Sequence, residues 1–136
     1  MGRVLVVDDE PDVLLLCRLN LEVRGHELLE ATEGPSALQL AREHRPDVIV
    51  LDLMLPGMDG YEVLETLRRE EATAEIPVLV LTAKSLRADR ERSRGLGAAA
   101  FLTKPFLPDD LCELVEALAD AVGRDRGASH GAADQA

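Results

Sequence analysis

A chain of 136 residues with a formal net charge of −11 is long enough for one ordinary domain and short for two. Its two cysteines, Cys17 and Cys112, each fall inside a helical pattern, which reads as reduced core thiols and excludes a disulfide framework or a C-x-x-C metal site. The acidic balance argues against a direct nucleic-acid partner, because such affinity rests on basic residues that neutralise phosphates, and it suits protein partners instead.

The first expected strand, Val4–Val7, begins almost at the N-terminus, without the apolar core and small-residue cleavage site of a signal peptide. No apolar run approaches the roughly 20 residues that span a bilayer, so a cytoplasmic protein away from the membrane is expected. This strand ends in Asp8-Asp9, and a helix is predicted over Pro11–Val23, with Asp9 or Glu10 ahead of the proline and Gly25 at the C-terminal cap. A strand over Glu27–Glu30 and a helix over Pro35–His44 follow. The third strand, Val48–Leu51, runs into Asp52 and precedes a helix over Tyr61–Glu70.

Val78–Leu81 leads to Thr82, with a helix predicted over Leu86–Arg94. Ala99–Leu102, placed mainly by its position in the alternation, leads to Lys104-Pro105 and a last helix over Asp109–Val122. Apolar β-branched runs alternating with helices indicate an α/β fold, a parallel sheet covered on both faces. The segment from Gly123 to Gly131 has no apolar face, so residues 123–136 are expected to form a disordered tail after a single domain of residues 1–122.

In an open parallel sheet, function gathers beyond the carboxyl ends of the strands. Asp8 and Asp9, Asp52, Thr82 and Lys104 come from four such ends. Each alone has a structural explanation as a helix cap, a turn former, a strand-end hydroxyl or a surface lysine. Their joint placement on one edge points to a site. Two unit charges ~4 Å apart repel by about 4 kcal/mol at an effective dielectric of ~20, so three carboxylates at one rim call for a cation beyond one lysine. Hard oxygen donors without His or Cys favour Mg²⁺, which binds through a few carboxylates, waters and a substrate phosphate. A carboxylate beside such a metal and a lysine is able to act as nucleophile and form an aspartyl phosphate. His26, His44 and His130 are scattered and read as neither catalytic nor metal-binding.

The stretches Asp8-Asp9-Glu10-Pro11, Val50-Leu51-Asp52-Leu53-Met54-Leu55-Pro56-Gly57-Met58-Asp59-Gly60, Leu81-Thr82-Ala83 and Leu102-Thr103-Lys104-Pro105-Phe106 resemble, in order and spacing, the motifs of the response-regulator receiver family. The resemblance covers residues 3 to about 122. It implies a flavodoxin-like five-stranded sheet in the order 2-1-3-4-5. It also implies a signalling phosphoacceptor that catalyses its own phosphoryl uptake and slow loss rather than an enzyme with a separate substrate.

On the same ground Asp52 is the expected phosphorylation site and Asp9 a direct Mg²⁺ ligand. Asp8 would act mainly through metal-bound water, and the Met54 carbonyl would be a further ligand. Lys104 and Thr82 would contact the phosphoryl group, with Lys104 held by a Lys104–Pro105 peptide that is usually cis in the family, and Thr82 and Phe101 would be the switch pair. The implied partners are a sensor histidine kinase or phosphotransfer protein and an unidentified downstream protein.

Two other classes fit less well. A haloacid-dehalogenase-type phosphatase carries D-x-D-x-T after its first strand, whereas the nucleophile here follows the third. A flavin-binding module would meet an acidic rim of the wrong sign for its phosphate. No helix-turn-helix follows the last helix, so as given the chain reads as a stand-alone, chemotaxis-regulator-like receiver, a pattern that a fragment of a longer regulator would share. Helix four carries Arg87, Arg90, Arg92 and Arg94 while helix five carries only acids, and Ala99-Ala100 stand between them, an arrangement read as a partner surface around strand five rather than a charged dimer interface.

Overall fold

A computed structural model describes residues 2–83 and 87–135, with side chains as far as Ala121. The elements in chain order are β1 (Arg3–Val7), α1 (Pro11–Val23), β2 (Glu27–Ala31), α2 (Gly34–His44), β3 (Val48–Asp52), α3 (Gly60–Arg69), β4 (Val78–Thr82), α4 (Arg87–Gly95), β5 (Ala100–Thr103) and α5 (Pro108–Gln135). The five strands form one parallel sheet in the order β2-β1-β3-β4-β5.

Alternation along each strand divides the interior into two cores. Leu5, Val7, Ile49, Leu51, Val78 and Val80 pack on one face against Ala37, Leu38 and Ala41 of α2 and Val63, Leu64 and Leu67 of α3. Val4, Val6, Val48, Val50, Leu79 and Leu81 point to the other face, against Cys17 and Leu21 of α1 and Leu111, Cys112 and Val115 of α5. Both cysteines are buried free thiols, and burial pushes the Cys17 thiol up to about 12. The strands β3 and β4 are buried along their whole length, which their unbroken apolar runs require, whereas the edge strands β2 and β5 are mostly half-buried.

Many element ends differ from the sequence reading by one residue, and the end of α5 differs by more. The expected start of the fourth helix at Leu86 lies outside the described residues. Strand β5 starts at Ala100 because Ala99 contributes only its N–H, bonded to the Val78 carbonyl at 2.9 Å. Backbone helix continues past residue 122 to Gln135, where the sequence suggested a tail without structure.

Helix α1 ends as its sequence suggests. Gly25, at φ 91°, donates to the Glu22 carbonyl at 2.9 Å, and the His26 N–H donates to Leu21 at 3.1 Å, the paired closure that a left-handed glycine permits. This closure brings Arg24 and His26 to Glu116 of α5, whose carboxylate meets the Arg24 guanidinium at 2.8 Å and His26 Nε2 at 2.9 Å. The His26 contact first, and Arg24 second, hold the Glu116 carboxyl below the usual range. A depressed acid stabilises the fold above its ordinary value and loses that contribution as the pH falls through the lowered one. Glu116→Gln is therefore expected to lower the melting temperature by roughly 2–4 °C at neutral pH, the size of a partly exposed pair. In melts taken across an acid series, the gap to wild type should close as the pH drops below the ordinary glutamate range.

Candidate functional site

The strand order reverses between β1 and β3, since β2 lies outside β1 while β4 and β5 continue beyond β3. A crevice opens there at the carboxyl ends of the strands. Asp8 and Asp9 follow β1, Asp52 ends β3, Thr82 ends β4, and Lys104 follows β5. The register carries Asp52 beside Leu81 and Thr82 beside Thr103, so the polar ends align at one rim. Asp8, Asp52 and Thr82 are buried, and Asp9 is exposed.

One carboxylate oxygen from each of Asp8, Asp9 and Asp52 lies within 4.8 Å of the others. Lys104 Nζ sits 2.7 Å from Asp8 Oδ2 and 3.3 Å from Asp52 Oδ2, with Glu10 Oε1 at 3.6 Å. Burial pushes the Asp8 carboxyl up, and Lys104 only partly offsets it. Burial also works against the Lys104 charge, but the Asp8 and Asp52 carboxylates outweigh it and leave the ammonium pKa raised. Lys104 is thus a firmly charged cation shared among carboxylates.

Backbone donors complete the site. Asp52 Oδ1 accepts from the Met54 N–H at 3.0 Å, and Asp8 Oδ1 accepts from the Glu10 N–H at 2.9 Å. The loop from Leu53 to Asp59 is closed by Gly60, whose N–H bonds the Leu53 carbonyl at 3.3 Å. A Cβ at Gly60 would stand 2.5 Å from Leu53 Cα, so only glycine admits this approach. Asp59 caps α3 by accepting from the Tyr61 N–H at 2.9 Å.

The acid cluster fits a hard divalent cation. It offers three carboxylates, with one oxygen of each within 4.8 Å of the others, and no nitrogen or sulfur donor. The Lys104–Pro105 peptide is cis, as the family resemblance implied. Phe101 is half-buried against the core on the α2 and α3 face, with the Arg90 guanidinium 5.2 Å from its ring centre.

The structure adds residues to which the sequence reading gave no role in the site. Glu10 reaches Lys104, and Tyr61 and Arg92 line a cavity of about 590 Å³ together with Asp9, Met54 and Thr82. Tyr61 also donates to Asp89 of α4 at 3.1 Å. Its position directly after the Asp59-Gly60 closure was the available signal, but only the packing of α3 on α4 shows what it meets.

The family description "Response regulator receiver domain" matches residues 4–116. The chain is 43% identical over 118 residues to the DNA-binding dual master transcriptional regulator RpaA of Synechocystis, covering 87% of this chain and 49% of that protein. It is 34% identical to protein PilH of Pseudomonas aeruginosa, covering 87% of this chain and 98% of that one. The chain therefore spans about half the length of several curated relatives and nearly all of another. Among solved structures it resembles the receiver domain of sensor histidine kinase PA1611 from P. aeruginosa, reported with magnesium coordinated in its active-site cleft, at a TM-score of 0.80 and 28% identity over 88% of this chain and 98% of that one. With five parallel strands in the matching order and carboxylates gathered at their ends, this chain belongs to the response-regulator receiver family of two-component signalling.

Proposed function

We propose that the chain is an Mg²⁺-dependent phosphoacceptor, a signalling protein that takes a phosphoryl group onto Asp52 from a phosphohistidine of a sensor kinase or phosphotransfer protein. The observation that carries this is the setting of Asp52, 2% exposed, fixed by the Met54 N–H on one oxygen and facing Lys104 with the other. Asp8, Asp9, Asp52 and the Met54 carbonyl would hold the cation, which supplies neutralisation of the phosphoryl oxygens. The magnesium-bearing relative PA1611 supports that assignment.

In the reaction an Asp52 oxygen attacks phosphorus, the P–N bond to the donor histidine breaks, and the leaving nitrogen takes up a proton. Lys104 faces the phosphoryl oxygens, and the Thr82 hydroxyl donates to them. Slow loss of the phosphoryl group to water restores the carboxylate. The arrangement catalyses its own modification and acts on no separate substrate.

Output is assigned to the surface of α4, β5 and α5. Beside β5 lies a hollow of about 310 Å³ lined by Arg90 and Arg94 of α4, Ala99, Ala100 and Phe101. Across β5, α5 displays Asp109, Asp110 and Glu113. Thr82 and Phe101 would switch this surface for a downstream protein, a population shift that requires unequal affinity for the two states. Residues 1–122 form the receiver body in this reading, with 123–136 outside it because their sequence has no apolar face. The reading includes a cytoplasmic location, and the net charge of −11 accords with no direct nucleic-acid contact by these residues. No helix among the described residues is long and apolar enough to cross a membrane.

Acetyl phosphate with Mg²⁺ is expected to label Asp52 alone, read by mass spectrometry after reductive trapping. Equal labelling of Asp52→Asn would refute the assignment. Mg²⁺ at a hundredfold excess over Kd should add about 2.7 kcal/mol to stability.

The raised Asp8 acid destabilises the fold as the pH rises through its value. Asp8→Asn should therefore melt higher than wild type in EDTA at neutral pH, lose most of the Mg²⁺ response, and converge with wild type in acid. Beryllofluoride-activated protein should sediment as a monomer. It should bind its downstream partner, recovered with activated protein as bait, several-fold more tightly than the inactive form does. Charge reversal at Arg87 and Arg90 should weaken that binding without slowing Asp52 labelling.

A further inference from the structure

Tyr61 is the only tyrosine of the chain, which has no tryptophan. It stands in the first turn of α3, 9% exposed, directly after the loop that carries Met54. Two side chains of α4, three positions apart and so on one helix face, grip it. The Tyr61 hydroxyl donates to Asp89 at 3.1 Å, and the Arg92 guanidinium carbon lies 3.8 Å from the ring centre. Arg92 is also the one basic residue among those lining the cavity beside Asp9, Met54 and Thr82, whose other charged walls, Asp9 and Asp59, are acids. Among the described residues no carboxylate forms an ion pair with it.

Two cations thus stand at the strand ends in different circumstances, Arg92 on the cavity beside Asp9, Met54 and Thr82 and Lys104 at the acid cluster. Lys104 is already divided among Asp8, Asp52 and Glu10 at 2.7, 3.3 and 3.6 Å. Arg92 rests on a neutral ring, a weaker hold than a dianion offers to a guanidinium fork. A phosphoryl group on Asp52 brings about two negative charges into this cleft.

We propose that Arg92 is a second cationic arm of the acceptor cleft, parked on Tyr61 in the unmodified protein and drawn to the anionic group on Asp52, so that α4 is released from Tyr61 on modification. The inference rests on the reading of Asp52 as the acceptor. It adds a route through the contact of α3 with α4, separate from the Thr82 and Phe101 pair. By reciprocity, whatever loosens α4 from Tyr61 also alters affinity for the anion.

With no tryptophan present, tyrosine emission reports on Tyr61 alone. The experiment combines that emission with calorimetric titration of beryllofluoride in Mg²⁺, at low and high sodium chloride, on wild type, Arg92→Gln and Arg92→Lys. In wild type the emission should change on adding beryllofluoride and not on adding Mg²⁺ alone. Arg92→Gln should bind beryllofluoride roughly 3- to 10-fold more weakly, with a shallower salt dependence and a flat Tyr61 signal. Arg92→Lys should recover most of the affinity, and it carries the test if Arg92→Gln fails to fold.

Wild-type affinity in Arg92→Gln overturns the proposal. So does weakened binding with an unchanged salt dependence, the mark of lost packing alone, or an emission change completed by Mg²⁺ alone. If wild type takes up no beryllofluoride, the acceptor reading itself falls, an outcome distinct from all of these.

Discussion

The placement of one ammonium group between two buried carboxylates governs the architecture. Asp8 and Asp52 are 0% and 2% exposed, and Lys104 stands against both. Burying such charges costs several kcal/mol each unless they are paired. The pairing depends on three chain segments that the sheet alone brings together. Adjacent β1 and β3 supply the acids, and the segment after β5 must reach back past Thr82 of β4 to deliver the lysine. A one-residue slip in any ladder would turn its strand-end side chain to the opposite face. The two apolar cores, which reject such a slip, are therefore also what keeps Lys104 between the two carboxylates.

That dependence explains why so much was legible in the sequence. Val4–Val7, Val48–Leu51 and Val78–Leu81 are apolar runs that only a doubly covered parallel sheet accommodates, and each is followed directly by a polar residue at the rim. Strand β5 lacks such a run, since Ala98, Ala99 and Ala100 have no β-branched side chain, and its start was misplaced by one residue. Beyond residue 122 the backbone of α5 continues to Gln135 although the stretch carries no apolar face, a course that hydrophobic patterning does not register.

The α4 surface was the least legible part. From the sequence its arginines read as one flank of a partner surface, but Asp89 and Arg92 meet Tyr61 of α3 while Arg87 pairs with Glu91 at 2.9 Å. Which charges face inward depends on how α4 crosses α3, and no local pattern encodes a crossing between helices separated by a strand. The family motifs, by contrast, are local in sequence and converge in space, which is why the acid cluster and Lys104 could be named before any coordinates.

These features together make α4 the element most open to displacement. Among its described residues only Ser93 is buried, whereas α3 buries Tyr61, Val63, Leu64 and Leu67 in the core. An element with little buried apolar surface sits at the low end of local stability, where modest changes in free energy shift populations. Polar and cation–π contacts hold α4 instead, and these respond to charge in a way that apolar packing does not. The acceptor cleft and the hollow beside β5 lie on opposite flanks of this helix, with Arg92 lining one and Arg90 and Arg94 the other. In the proposed reading, a charge that arrives on the Asp52 side acts on the same short helix whose other side forms the output surface.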